Sequence, residues 1–109
     1  MRDFSNDTSA LALNTATLGH NLDGHGAGWE TARVIDACAE RGMGGIVFWR
    51  REIGDNAVAI GERVRAAGMS VAGLCRAPYL TGPLALPTRQ EILDDFRYAI
   101  DQAAEAKAC

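Results

Sequence analysis

The sequence predicts an α/β domain in which helices alternate with parallel strands, and three observations carry that expectation. First, Ala32 to Arg50 (ARVIDACAERGMGGIVFWR) reads as an amphipathic helix, a glycine turn and a short apolar strand. Val34, Ile35 and Cys38 share one helical face while Arg33, Asp36, Glu40 and Arg41 populate the other. Second, the phrase is written twice. Gly42-Met43 with Trp49-Arg50 is echoed by Gly68-Met69 with Cys75-Arg76 at the same internal spacing, as a repeating helix–glycine–strand–arginine unit requires. Third, the helix-to-strand turns at Gly42 and Gly68 are short, whereas the strand-to-helix loops are long and hold His, Trp, Arg, Tyr and Asn.

Taken in order, residues 1–8 are polar and read as a loose terminus, and 9–109 as the folded domain. Ser9 to Thr17 is the candidate first strand, ending near Asn14, Thr15 and Thr17. Leu18 to Gly28 holds four glycines without helical periodicity and is expected to be a loop. The first helix spans Trp29 to Arg41, and Gly42 ends it where a positive φ is needed. The second strand is Gly45–Trp49, with Ile46-Val47-Phe48 an unbroken apolar run of the kind a parallel strand covered on both faces requires.

Arg50 to Gly54 reads as a polar connection, with Asp55 the N-cap of a second helix reaching about Ala67. Ala57, Ile60, Gly61 and Val64 face inward on that helix. Ser70 to Cys75 is the third strand, and Arg76 to Pro87 a loop holding all three prolines. Thr88-Arg89-Gln90-Glu91 has the spacing of a capping box. The third long helix follows to about Ala106, with Ile92, Phe96, Ile100 and Ala103 as its inner stripe.

Composition bounds the function. The chain has 109 residues, about one small domain, with a formal net charge of −3. Positive charge is not in excess, which disfavours nucleic acid or an anionic membrane as main partner. No apolar run approaches the ~20 residues that span a bilayer. The N-terminus lacks the apolar core of a signal peptide, so a cytoplasmic location is the expectation. Cys38, Cys75 and Cys109 form no CxxC pair, which suggests neither zinc site nor disulfide framework.

In parallel α/β folds ligand sites gather at the carboxyl ends of strands. That rule selects Asn14–Thr17, Trp49–Arg51 and Cys75–Tyr79. Neither G-x-G-x-x-G nor the P-loop pattern follows the first strand, and Gly24 to Gly28 has the wrong spacing. The three units do not by themselves choose between an open sheet and a closed barrel.

A resemblance bears on that choice. Leu13-Asn14-Thr15-Ala16-Thr17, Ile35-Asp36-Ala37-Cys38, Gly45-Ile46-Val47-Phe48-Trp49-Arg50, Gly73-Leu74-Cys75-Arg76 and Leu93 to Asp101 (LDDFRYAID) together are similar to the N-terminal part of sugar phosphate isomerase/epimerase proteins. These are xylose isomerase-like TIM barrels, grouped with the type-2 AP endonuclease barrels. The likeness covers nearly the whole chain beyond residue 8. It implies a partial (β/α)8 TIM barrel of three consecutive βα units with a parallel three-stranded sheet, stopping before a fourth strand. It also implies a divalent metal, Mn²⁺ or Mg²⁺, on carboxylate and histidine ligands in later strands, acting on a sugar or hydroxy-carbonyl substrate. No metal-binding or catalytic position of the family falls within this chain, which alone is expected to be inactive. The acidic balance argues against the nuclease branch.

The candidate substrate-binding residues are Asn14, Thr15, Trp49, Arg50, Arg76 and Tyr79. Arg50 and Arg76 are repeat equivalents and together have the chemistry to grip a phosphate or carboxylate. Each has a structural alternative: the arginines in pairs with Glu52 or Asp55, Trp49 as core, Asn14 and Thr15 as strand terminators, Tyr79 as a loop anchor. His20, Asp23 and His25 sit in a loop with no regular element to fix metal ligands. Cys75 has no identifiable base nearby in sequence. An alternative from another class is a non-catalytic βα binding or interaction module that dimerises through its open sheet edges, a possible homo-oligomer.

Overall fold

The computed structural model describes residues 3, 5–19 and 26–108. Strand β1 (Ala12–Asn14) leads into a 3-10 turn (Thr15–Leu18), then helix α1 (Thr31–Glu40) and strand β2 (Gly45–Trp49). A short helix α2 (Arg50–Ile53), helix α3 (Ala57–Ala66), strand β3 (Ser70–Cys75) and helix α4 (Arg89–Ala106) follow. The sheet order is β1-β2-β3, and both pairings are parallel. Asn14 lies opposite Val47 and Trp49 opposite Cys75, so the three strands end on one rim. The chain is thus α/β with a three-stranded parallel sheet and alternating βα units.

The repeat seen in sequence is a repeat of hydrogen bonds. Met43 N–H donates to the Cys38 carbonyl and Met69 N–H to that of Val64, each five residues back. Gly42 and Gly68 N–H donate three residues back, to Ala39 and Arg65. Their φ values of 71° and 82° lie where only glycine is unstrained, so both turns are Schellman closures.

Ile46 and Phe48 are fully buried on one face of β2. They pack in one cluster with Val34, Ile35 and Cys38 of α1, Ile53 of α2, Ala57 and Val64 of α3, Val71 of β3 and Ala106 of α4. Because strand side chains alternate, one cluster reaching every helix places all four on the same side of the sheet. Right-handed crossovers between neighbouring strands produce that arrangement. Val47 and Trp49 point to the opposite face and are only half-buried. Among the described residues no helix covers that face.

Several expectations shift. The first strand is Ala12–Asn14 rather than Ser9 to Thr17, because the Asn14 side chain accepts from Ala16 N–H at 3.0 Å and turns the chain into the 3-10 segment. Arg50–Ile53 is a helix, not a connection, and the Glu52 carboxylate caps its start by accepting from Trp49 N–H at 3.0 Å. The residue preceding α3 is Asn56, not Asp55, and its side chain makes no capping bond. The capping box of α4 forms as expected, with Thr88 Oγ1 accepting from Glu91 N–H and Glu91 accepting from Thr88 N–H. The inner face of α4, however, runs through Gln102 and Ala106, while Ile100 is 65% exposed.

Helices α3 and α4 approach most closely at Gly61. A Cβ there would lie 2.5 Å from the Ala106 carbonyl oxygen, which is backbone and cannot swing away. Gly61→Val should therefore lower stability by about 2 kcal/mol, a fall in Tm of roughly 10 °C by thermal melting, despite removing a helical glycine.

Candidate functional site

The rim where the three strands end is stitched by side chains from different elements. Trp49 Nε1 donates to Asn14 Oδ1 at 3.1 Å, joining the ends of β2 and β1. Thr15, fully buried, donates its hydroxyl to Glu52 Oε2 at 2.5 Å, and that carboxylate also takes Trp49 N–H. These two links close the gap between the 3-10 turn and α2.

Arg50 closes the next gap. Its Nε donates to Gln102 Oε1 at 2.6 Å and Nη1 to the Arg76 carbonyl at 2.8 Å. Nη1 and Nη2 fork onto Asp95 at 3.1 and 2.7 Å, and Nη2 also reaches the Asp95 carbonyl at 3.4 Å. A guanidinium has five N–H donors, and here all five have acceptors. The side chain is 13% exposed. Gln102 is satisfied in turn, its amide donating to the Gly54 carbonyl at 2.9 Å. Asp95 and Gln102 are the residues that sequence reasoning missed. The expected partners of Arg50 were Glu52 and Asp55, but Glu52 serves the 3-10 turn and Asp55 accepts from the Tyr98 hydroxyl at 2.5 Å.

Arg76 differs. It is exposed, and its guanidinium lies over the Tyr79 ring with 4.1 Å between its central carbon and the ring centroid. Among the described residues no carboxylate forms an ion pair with it. Of the six candidates, Asn14, Thr15, Trp49 and Arg50 are joined through one end of the sheet, and Arg76 with Tyr79 stands at the same end beside β3. Thr15 is closed off from solvent, and the N–H donors of Arg50 are all engaged within the protein. Arg76 is exposed, and Asn14, Trp49 and Tyr79 are half-buried.

Charge states follow from these contacts. The Arg50 hydrogen bonds hold the Asp95 carboxyl below the usual carboxylate range, against the opposing effect of burial. The hydrogen bond to Asp55 pushes the Tyr98 phenol up. Burial pushes the Cys38 thiol up, outweighing Arg41, so Cys38 is a packing residue rather than a nucleophile. Among the described residues no group of three or more His, Cys, Asp or Glu is placed to hold a metal ion. His20, Asp23 and His25 lie outside the described residues. Likewise among the described residues, no helix is long and apolar enough to cross a membrane.

The fold and rim define a parallel α/β unit whose three strands end on one edge. No family model matches the chain, and no curated protein matches it. It is similar to a solved structure, protein SMc04130 from Sinorhizobium meliloti 1021, at 30% identity and a TM-score of 0.73. The match covers 94% of this chain and 34% of that one, so the chain spans about a third of the length of the protein it matches.

The Arg50–Asp95 pair makes stability depend on acid. A carboxyl held down in the folded state contributes stability that is whole above its ordinary range and lost as pH falls on through the lowered folded-state value. Asp95→Asn should cost about 1–2 kcal/mol at neutral pH, allowing for the screening of a carboxylate that is 32% exposed. The gap in Tm between wild type and variant should narrow progressively as melts are taken below the ordinary carboxylate range. A gap that stays constant with pH would show that the charge of Asp95 contributes nothing.

Proposed function

We propose that this chain forms the first three βα units of a (β/α)8 barrel of the sugar phosphate isomerase/epimerase type, and that it supplies part of the substrate-pocket wall. The observation that carries the reading is the sheet face opposite the helices. Among the described residues no helix covers it, and it runs into Trp49 at the rim. In a barrel that face is the interior, and the rim is where ligands bind. The similarity to a chain about three times as long is consistent with further units beside these. The resemblance in sequence supplies the reaction class: movement of a proton between neighbouring carbons of a ketose or hydroxy-carbonyl compound.

The residues described here do not fit a metal. The Asn14 amide oxygen is taken by Ala16 N–H and the Trp49 indole, and the Glu52 carboxylate by Thr15 and Trp49. No metal-dependent step is therefore assigned to this chain. Its contribution is an apolar indole wall against a sugar carbon chain, held in one orientation by Asn14. In an NMR titration with neutral ketoses, the Trp49 indole N–H resonance should shift saturably, while Trp29 should not respond. In D₂O with Mn²⁺ the chain alone should incorporate no deuterium beside the ketose carbonyl. Absence of any Trp49 response overturns the pocket-wall role, and incorporation at the rate of a complete enzyme overturns its confinement to the wall.

A second reading is favoured by the flanks. Strands β1 and β3 are the sheet edges, and beside β3 a groove is lined by Leu74, Phe96, Ile100 and Ala103. An apolar groove next to an unpaired strand is a surface for association with a second copy. On this reading the chain is a non-catalytic module, sedimenting as a discrete homodimer that Ile100→Glu converts to monomer. A monomer, or a polydisperse species, counts against it.

A further inference from the structure

We infer that Arg76, stacked on Tyr79, is an anion-binding site for a small molecule bearing a phosphate or carboxylate. The inference deepens the pocket-wall reading by naming the charged group that its substrate carries. It starts from the division of labour between two arginines that occupy equivalent places in the repeat. Arg50 has spent all five donors on Gln102, Asp95 and the Arg76 carbonyl. It is unable to release two of them to an oxyanion without breaking its pairing with Asp95. Arg76 directly follows the neighbouring strand and has made no such commitment.

What Arg76 does have is a platform. Its guanidinium sits 4.1 Å above the Tyr79 ring, which occupies the flat face of the group and leaves its N–H donors in the plane, at the edge. An arginine held this way has already lost much of its rotamer freedom, so less is lost when it forks onto two oxygens. Two features fix the platform. Pro78 precedes Tyr79 and locks φ at that step of the loop. Arg50 grips the Arg76 carbonyl at 2.8 Å and anchors the backbone from which the side chain projects. Arg50 is in this sense a positioning residue for Arg76.

The surroundings suit an anion. The Asp95 carboxylate, which Arg50 links to the Arg76 backbone, is paired by Arg50, and no ion pair to Arg76 occurs among the described residues. The register pairs Cys75, the preceding residue, with Trp49, so the charged edge lies next to the apolar wall. A substrate with an apolar carbon chain and one terminal oxyanion fits that juxtaposition. A free phosphate and a carboxylate share the same recognition geometry, and the titration separates them.

The test is an NMR titration of the ¹⁵N-labelled chain, reading arginine Nε–H resonances, with inorganic phosphate, with acetate, and with sodium chloride at matched ionic strength. Saturable movement of the Arg76 resonance with phosphate or acetate, absent with chloride, is the expected result. The affinity should be in the millimolar range, Arg50 should hold still, and Tyr79→Ala should weaken binding several-fold. Arg76→Lys should retain weaker phosphate binding and lose acetate, while Arg76→Gln should bind neither and leave Tm unchanged. Movement that is linear, is matched by chloride, or survives Arg76→Gln overturns the assignment. The neutral-ketose titration of Trp49 reads the pocket-wall role separately, so failure of that role and failure of the anion site are told apart.

Discussion

One saturated guanidinium holds the carboxyl end of this sheet together. Arg50 begins α2 where β2 ends, and from there it touches the end of β3 through the Arg76 carbonyl and the middle of α4 through Asp95 and Gln102. Hydrophobic contact alone would not fix this register, because apolar packing is non-directional. Five directed hydrogen bonds do. Their partners lie 26, 45 and 52 residues away along the chain, so the arginine joins segments that loop closure would otherwise leave loosely related. Gln102, nearly all of it buried, is tolerated there only because its oxygen accepts from Arg50 while its amide donates to Gly54.

The strands and turns were legible in sequence for a physical reason. Gly45–Trp49 and Ser70–Cys75 coincide with the expected spans because each is bounded by a glycine-closed helix on one side and an arginine on the other. The capping box of α4 was legible because both of its partners lie within four residues. Local chemistry of this kind is written in adjacent letters. The inner face of α4 was not legible, since a search for apolar periodicity passes over the buried Gln102 and selects Ile100, which is mostly exposed. The short helix α2 was hidden by its two arginines, although Glu52 three residues after Trp49 and the buried Ile53 were its available signals.

The candidate site divides along the same line. Position was legible: parallel strands with short return turns bring Asn14, Trp49 and Arg76 to one rim, and the pairing register places them there. Availability was not. Whether an arginine is spent or free depends on partners such as Asp95 that no spacing rule identifies. Sequence made Arg50 and Arg76 equivalent, and tertiary contacts made them opposites. The same holds for Thr15, whose hydroxyl was a candidate for a substrate and is instead buried against Glu52.

The sheet face opposite the helices carries a gradient of its own. At its amino end a Cβ on Gly45 would lie 3.3 Å from Ala12 Cβ and 3.4 Å from Ala72 Cβ, so that floor admits only small groups. Ala72 stands where the β3 register skips a residue between Val71 and Gly73. At the carboxyl end the same face reaches Trp49 and Cys75. Its side chains therefore grow from glycine and alanine at the amino end to indole at the carboxyl end. Parallel sheets are rarely left bare on either face, because their strands lack the alternation that tolerates water. On the barrel reading proposed above, this face, which no helix covers among the described residues, is the interior surface, and Trp49 at its carboxyl end is the group that a bound molecule meets first.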